Sequence, residues 1–306
     1  MNTEKRLTGA YKNAKVLPVD EKSKYIIFSD CHRSNGSNSD EFTKNQNVFL
    51  YALSYYYKNG FSYIEAGDGD ELWEQPKFRY IRKAHYYVFD LLKDFYKEDR
   101  LEILYGNHNI YLKNHEYLKR TLYSYYNDSR DEYQDLLMGL EPCEAILLKK
   151  ADDDREFLIL HGHQGDLFND QLWFFSMILL KGLWRAFHAI GATSPASPVK
   201  NITRQHRIEK KYNKWIKKNQ TAIICGHTHR YKFPRKDEVP YFNCGCCIYP
   251  DNITGIEIEG GNIMIVRWKV TPDEDGVLRI ERFVIRGPMP LDAFSFDHDE
   301  MRDEYD

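Results

Sequence analysis

Five short runs of apolar, β-branched and aromatic residues stand out along the chain as candidate strands. They occupy residues 25–29, 61–66, 101–105, 157–160 and 222–225. Stretches with apolar residues at helical spacing separate the first three runs, around residues 42–57 and 78–96. Strands that alternate with helices of this length are typical of βαβ units, so the pattern predicts a layered α/β fold.

The rest of the chain favours antiparallel strands. Residues 144–149 and 156–160 flank an acidic turn and predict a hairpin. Three more strand-like runs follow, separated by turn residues, at 253–258, 263–270 and 277–285. Because the chain contains no internal repeat and no linker rich in Pro, Gly or Ser, we predict a single domain over residues 1–306. A helical insertion or lid is predicted at about 167–218.

The net charge and the lengths of the apolar runs argue against nucleic-acid binding and against a membrane span. The 306 residues include 43 basic and 46 acidic side chains, a net charge of −3. A nucleic-acid-binding domain is usually basic, so we expect no nucleic-acid partner. No run reaches the ~18 apolar residues of a membrane span, and the first residues lack the apolar core of a secretory signal. We therefore expect a cytoplasmic protein without a transmembrane segment.

The most apolar part of the insertion covers residues 172–184. Its Trp, Phe and Leu side chains are too apolar to lie free in water. Packing against the domain, or a lid over the functional site, explains this pattern best. An oligomer contact and a contact with a membrane surface are the alternatives.

Residues that can bind metal or phosphate directly follow each of the five predicted strands. Six of the eleven histidines lie in these short stretches. One such motif alone is weak, because a single Asp at a strand end more often caps a helix. Five in order are expected to converge, since ligands of α/β sheets bind beyond the carboxyl ends of the strands. The stretches are Asp30-Cys31-His32, Gly67-Asp68-Gly69-Asp70-Glu71, Gly106-Asn107-His108, His161-Gly162-His163 and Gly226-His227-Thr228-His229.

In this order the motifs resemble those of the calcineurin-like metallophosphoesterases, whose signature is Asp-x-His, Gly-Asp, Gly-Asn-His, a strand-end His and Gly-His-x-His. The resemblance spans Asp30 to His229, about two-thirds of the chain. The segments GDGDELW and HGHQGD are most similar to the branch that includes UDP-2,3-diacylglucosamine pyrophosphatases. The resemblance implies an α/β/β/α fold, a β-sandwich of two sheets flanked by helices.

The resemblance also implies a centre of two divalent metal ions. One ion would be bound by Asp30, His32 and His229, the other by Asn107, His161 and His227, and both by Asp68. Carboxylate, imidazole and amide ligands without a thiolate suit Mn, Fe or Zn. Two such ions can clamp the attacking and leaving oxygens of a phosphoryl displacement. With a bridging hydroxide the centre keeps a charge of about +1, which attracts a phosphate anion.

Other residues are assigned to catalysis and to substrate binding. By the resemblance, His108 is the catalytic acid that protonates the leaving oxygen, and Glu71 is the carboxylate that orients it. His163 is the alternative ligand after the fourth strand, or faces the substrate. Arg33 and Arg230 flank the metal motifs and are expected to bind phosphate oxygens, exposed loop positions being the alternative.

These features predict a dinuclear metal-dependent phosphoesterase. It would hydrolyse a mono- or diester of an unidentified phosphorylated substrate, by attack of a metal-bridging hydroxide. The first alternative is a pyrophosphatase that acts on a nucleotide-sugar or lipid-linked substrate. The second is a metal-binding scaffold without turnover. The sequence departs from the family at Asn109, where an acidic residue usually follows Gly-Asn-His.

Overall fold

The computed structural model describes residues 2–150, 155–166 and 202–294. The helices in these ranges are α1 (Thr3–Lys12), α2 (Gln46–Lys58), α3 (Phe78–Ala84), α4 (Tyr86–Lys97), α5 (His115–Thr121) and α6 (Ile202–Asn219). The strands are β1 (Lys15–Val19), β2 (Lys24–Phe28), β3 (Ser62–Ala66), β4 (Leu101–Leu104), β5 (Ser124–Asn127), β6 (Glu132–Asp135), β7 (Ala145–Lys150), β8 (Glu156–Leu160), β9 (Ala222–Cys225), β10 (Tyr241–Asn243), β11 (Asn252–Glu259), β12 (Asn262–Pro272) and β13 (Leu278–Pro290).

Most of the strands belong to two sheets. The first sheet has the order β1-β7-β8-β9-β10, and the second has the order β13-β12-β11-β2-β3-β4. Strands β2, β3 and β4 are parallel, as are β8, β9 and β10. The predicted hairpin is confirmed by the antiparallel pair β7–β8, and the three predicted C-terminal strands form the antiparallel run β11–β13.

Three apolar layers hold these elements together. The central layer lies between the sheets and includes Ile27, Ile64, Ile159 and Ile224. A second layer packs α2 and α4 on the outer face of the second sheet, and a third packs α1 and α6 on the outer face of the first sheet. The predicted sandwich of two sheets flanked by helices is therefore confirmed.

Several elements of the structure were not predicted, among them α1, α5, β1, β5 and β6, and one predicted helix is broken. Strand β1 was not predicted, because Pro18 interrupts its short apolar run, and Pro is tolerated only at a sheet edge. In the structure β1 is such an edge strand, paired with β7. The helix predicted over 78–96 is broken at His85, whose backbone is non-helical (φ −116°, ψ 34°). The His85 Nε2 atom lies 2.7 Å from Asp40 Oδ2, so the break lets the imidazole reach a neighbouring loop.

The predicted insertion at 167–218 lies largely outside the described residues. Its last part is helix α6, whose Tyr212, Trp215 and Ile216 are buried against the first sheet. The apolar stretch 172–184 and the single-domain organisation stay predictions. Among the helices that the structure describes, none has both the length and the apolar character needed to cross a lipid bilayer.

Candidate metal centre

The five sequence motifs meet where strands of both sheets end. Asp30 follows β2 and donates its backbone N–H to the carbonyl of Gly67, which follows β3 (3.1 Å). In the other sheet, the N–H of Gly226, after β9, donates to the carbonyl of His161, after β8 (2.9 Å). These bonds place adjacent loops side by side, so side chains that are distant in sequence share one site.

The glycines of the motifs are required by close approach between these loops. Three of them lie against a candidate ligand: Gly106 against Asp68, which follows the neighbouring strand, and Gly67 against His161 and Gly226 against Asp30, which follow strands of the other sheet. A Cβ atom at Gly67 would lie 2.6 Å from the ring of His161. A larger residue at these positions would therefore displace a ligand side chain.

The backbone of the candidate ligands is unusual as well. Eight non-glycine residues in the described part of the chain have a positive φ, and five of them are candidate ligands, with φ between 47° and 66°: Asp30, His32, Asp68, His227 and His229. Each such residue costs about 1–3 kcal/mol, and this kind of strain is concentrated at functional sites. This backbone conformation is shared by Asp30 and His32 in the first motif and by His227 and His229 in the last, and all four belong to the candidate ligand groups.

The first candidate group contains Asp30, His32 and His229. The backbone N–H of His227 donates to Asp30 Oδ2 (2.8 Å), which leaves Oδ1 directed at the group. Asp30 Oδ1 lies 3.1 Å from His229 Nε2 and 3.7 Å from His32 Nε2. One carboxylate oxygen and two imidazole nitrogens thus face a common point.

The second candidate group contains Asp68, His161 and His227. The backbone N–H of His108 donates to Asp68 Oδ1 (2.8 Å), so that Oδ2 faces His161 Nε2 at 3.0 Å. The same Oδ2 atom lies 4.0 Å from His32 Nε2, in the first group. Asp68 therefore stands between the two groups, the position expected of a bridging ligand.

The donor set fits divalent metal ions. His161 Nδ1 donates to the carbonyl of Ala66 (3.1 Å), which leaves the Nε2 lone pair for a metal. Buried Asn107 Oδ1 has no hydrogen-bond partner among the described residues. Buried Asp30 Oδ1 and His161 Nε2 make no contact with hydrogen-bond geometry in this part of the chain either, although each lies within 3.1 Å of another candidate ligand atom. Buried polar atoms are normally paired, so unpaired ligand atoms of this kind fit a site for a cation. Carboxylate oxygens and imidazole nitrogens without a thiolate are ligands that divalent metal ions accept.

A third group lies beside the first. Glu71 Oε2 is 3.0 Å from His32 Nδ1 and 2.6 Å from His108 Nδ1. The ring of Trp73 stacks on that of His108, with centroids 4.2 Å apart and planes 21° apart. The structure thus brings Glu71 and His108 together, as the sequence predicted. Their roles in catalysis stay predictions.

Charges within the centre shift the pKa of its acids. Burial alone would raise the pKa of Asp68, but the charges of His161 and His108 outweigh it and hold this pKa far below its usual value. Burial raises the pKa of Glu71 too, and the charges of His108 and His32 reverse this and lower it to about 2. Both acids are therefore carboxylates at neutral pH.

Arg33 requires a correction. Its side chain is 1% exposed and points away from the groups described above. Nη1 and Nη2 donate to the two oxygens of Glu65 (2.7 and 2.8 Å), and Nε donates to Asp70 Oδ1 (2.9 Å). Because these carboxylates already occupy the guanidinium, Arg33 is not placed to bind phosphate, and the prediction was wrong.

The two remaining predicted residues are His163 and Arg230, and neither belongs to the candidate metal groups. His163 is buried 5.5 Å from His161, measured between ring centroids, and it is not part of the metal groups. Burial, and then the charges of His161 and His227, hold the pKa of His163 well below its usual value, so its ring is neutral. Arg230 is exposed and lines a cavity of about 630 Å³.

The sequence did not indicate the roles of two residues at the site, Asp166 and Asn109. Asp166 Oδ2 lies 3.5 Å from His227 Nε2, and its position at the end of HGHQGD was an available signal. Asn109, where the family usually has an acid, accepts a hydrogen bond from the Gly106 N–H (2.6 Å). Asn109 thus shapes the turn that carries Asn107 and His108.

Comparisons with known proteins add little beyond this geometry. No protein-family model and no curated protein matches the chain. Among solved structures, Vps29 of Chaetomium thermophilum is 10% identical, with 86% of this chain and 96% of that chain covered and a TM-score of 0.37. A protein assigned as a 5'-nucleotidase from Staphylococcus aureus, solved with α-ketoglutarate, is 15% identical, with 90% and 56% covered and a TM-score of 0.35. We therefore base the function on this chain's own side chains.

Proposed function

We propose that the protein is a dinuclear metal-dependent phosphoesterase of the calcineurin-like type. The observation that carries the proposal is that two ligand groups meet at Asp68. The first group contains Asp30, His32 and His229, and the second contains His161 and His227. Asn107 joins the second group in the proposal, since its buried Oδ1 has no hydrogen-bond partner among the described residues.

Bound divalent ions would lower the pKa of water to supply a nucleophile and would stabilise the charge that develops on the phosphoryl oxygens. The chain's own part is to orient and to move protons. Backbone N–H groups fix the two carboxylates, and the Ala66 carbonyl fixes the His161 tautomer. These three ligands therefore do not have to reorganise when substrate arrives, which favours electrostatic stabilisation.

His108 is the proposed general acid. Glu71 Oε2, 2.6 Å away, favours a proton on Nδ1 and leaves Nε2 to deliver a proton to the leaving oxygen. Stacking on Trp73 fixes the plane of the ring, while the His108 side chain stays 21% exposed and accessible to substrate. A positioned acid of this kind contributes roughly 10²–10⁴-fold to the rate.

The test pairs metal analysis with hydrolysis of p-nitrophenyl phosphate and of bis(p-nitrophenyl) phosphate in Mn²⁺. Asn107→Ala is compared with wild type and with Asn114→Ala, a control that removes an exposed helix-capping amide. We expect about two metal ions per chain and turnover in wild type and control, with turnover lost in Asn107→Ala. Absence of bound metal in the reconstituted wild type would overturn the proposal.

A pyrophosphatase that acts on a nucleotide-sugar or lipid-linked substrate is the second candidate. It is favoured by the cavity that is lined by Arg230, the residue that follows His229, since about 630 Å³ is ample for a group beyond the phosphate. Arg230, Tyr231, Phe233 and Arg286 line this cavity and offer both charge and apolar surface. Two bound metals, turnover of a UDP-sugar and none of the nitrophenyl esters would favour this candidate. Arg230→Ala should then raise KM more than it lowers kcat.

Two metals with no turnover of any of these substrates would instead favour a metal-binding scaffold. We keep a cytoplasmic location, a phosphorylated substrate and the absence of a nucleic-acid partner as parts of the proposal. Membrane-surface contact through residues 172–184 belongs to the lipid-linked alternative. Binding of the protein to liposomes would favour that alternative, and no binding would count against it.

A further inference from the structure

Arg33, Glu65 and Asp70 form a buried ion network next to the metal groups. The guanidinium makes two parallel hydrogen bonds to Glu65 and a third to Asp70, and its flat face lies 5.3 Å from the ring centroid of Phe89. Side-chain exposure is 1% for Arg33, 1% for Glu65 and 5% for Asp70. The Tyr63 hydroxyl also donates to Glu65 (2.9 Å). Each nitrogen of the guanidinium thus donates to a carboxylate, and the network is shielded from water.

The network joins the two loops that carry most of the ligands from the second sheet. Arg33 directly follows His32 in the loop after β2, and Asp70 lies between Asp68 and Glu71 in the loop after β3. The backbones of the two loops are paired through the hydrogen bond from Asp30 N–H to Gly67 described above and through three more of 2.9 Å each: His32 N–H to Asp68, Arg33 N–H to Gly69, and Glu71 N–H to Arg33. In the protein interior, the contact between the Arg33 and Asp70 side chains joins the same two loops.

Gly69 shows how closely the second loop lies on the network. A Cβ atom at Gly69 would overlap Glu65 and would lie 2.6 Å from Arg33 Nη2. There is therefore no room for a side chain between the backbone at Gly69 and the network, and a movement of the guanidinium towards this loop would displace the backbone between Asp68 and Asp70. That movement would change the distances from His32 to Asp68 and to Glu71.

Stability alone does not explain such a network. A buried ion pair often contributes no more than apolar residues of the same volume, and its best-attested use is to specify one geometry. A planar guanidinium bound at two points fixes direction as well as distance, which Lys, a flexible point charge, cannot do.

We propose that Arg33, Glu65 and Asp70 are positioning residues that set the spacing of the two metal sites, by holding the His32 loop against the Asp68 loop. The inference rests on the proposed function, since it requires that these loops bind metal. Arg33 acts through His32 and Asp68 and does not itself touch metal or substrate.

The test is Mn²⁺ binding to Arg33→Lys, followed by calorimetry and by the exchange-coupled electron paramagnetic resonance signal of a Mn²⁺ pair. The signal depends on the separation of the two ions, about 3.5–4 Å in two-metal sites, and so reports spacing rather than stability. We expect a folded variant with affinity at least about tenfold weaker, the range seen when outer-shell partners are removed. The coupled signal should be weakened or replaced by uncoupled Mn²⁺.

Arg282→Lys is the matched control, because Arg282 on β13 also makes a two-point contact with a buried glutamate, Glu257. It should change Mn²⁺ affinity by less than about twofold. If Arg33→Lys does not fold, Asp70→Asn decides the question. This variant keeps the Arg33–Glu65 contact and loses the charge that links the loops, and we expect affinity to fall about three- to tenfold.

The outcomes separate the two proposals. If wild type binds no Mn²⁺, the proposed function fails and the inference falls with it. If wild type binds two ions and folded Arg33→Lys shows the same affinity and the same coupled signal, the inference alone is overturned. Unchanged binding by Asp70→Asn, where Arg33→Lys is unfolded, overturns it too.

Discussion

Gly67→Ala tests the close approach that brings the two sheets' ligands together. Gly67 has φ +91°, and a Cβ atom there would lie 2.6 Å from the Cβ, Cγ and Nδ1 atoms of His161. A left-handed backbone costs an alanine about 1–2 kcal/mol. Ordinary contact begins at 3.4 Å, so His161 must also move by about 0.8 Å. Overpacking of this kind costs a further ~1–3 kcal/mol.

Gly60→Ala is the matched control, because Gly60 also has a positive φ (+76°) but nothing lies within 4 Å of the added Cβ atom. We expect the free energy of unfolding in urea to fall by about 1–2 kcal/mol in Gly60→Ala and by about 2–5 kcal/mol in Gly67→Ala. Metal–ligand distances tolerate only about ±0.2 Å. Gly67→Ala should therefore also weaken Mn²⁺ binding at least tenfold, and Gly60→Ala should not.

The difference between the two variants isolates the contact with His161. Equal losses of stability together with unchanged Mn²⁺ affinity in Gly67→Ala would refute the reasoning. In that case either His161 does not lie against the loop after β3 or it is not a metal ligand.

Three further predictions concern metal, pH and the core. Mn²⁺ at 100 times its Kd should raise the free energy of unfolding by about 2.7 kcal/mol, and Asp68→Asn should abolish this gain in a thermal-shift assay with EDTA as the reference. In metal-free protein, ionised Glu71 should stabilise the fold at pH values above about 4.5 and lose this effect as the pH falls towards its folded-state pKa of about 2. The stability difference between wild type and Glu71→Gln should therefore shrink across that window, and a constant difference would contradict the ion contacts of Glu71. Ile224→Ala, in the layer between the sheets, should cost about 2–5 kcal/mol while the folded protein still binds two metals, as metal analysis would show.

Part of the candidate site could be predicted from the sequence, namely which polar residues lie at the ends of strands. Asp30, Asp68, His108, His161 and His227 all lie within three residues after a run of apolar residues. The end of a strand is a local property, and parallel strands of one sheet end at the same edge. The pattern therefore accounts for the approach of residues within each sheet, whereas the tertiary structure decides that the two edges meet. The structure does bring these residues together.

Side-chain direction is not a local property, and here the sequence failed. Arg33 follows a candidate ligand and resembles a phosphate-binding residue, but its guanidinium turns inwards to Glu65, 32 positions away. The sequence favours His161 over His163 as a ligand because His161 directly follows its strand, but it does not give the direction of either ring. The carbonyl of Ala66, 95 positions from His161, supplies the contact that orients the ring of His161 towards Asp68.

The sequence by itself therefore determined the strands that lead to the five motifs, the β7–β8 hairpin, the C-terminal antiparallel strands and the polar residues at the strand ends, because these depend on periodicity and on neighbours along the chain. It did not predict β1, β5 or β6. Only the tertiary structure decided that Pro18 lies in an edge strand, that a helix breaks at His85, and that Arg33 joins two loops instead of facing substrate. Each of these depends on a partner from another element. Burial makes that partner decisive, because a charged or polar group removed from water must be satisfied by whatever the fold places beside it.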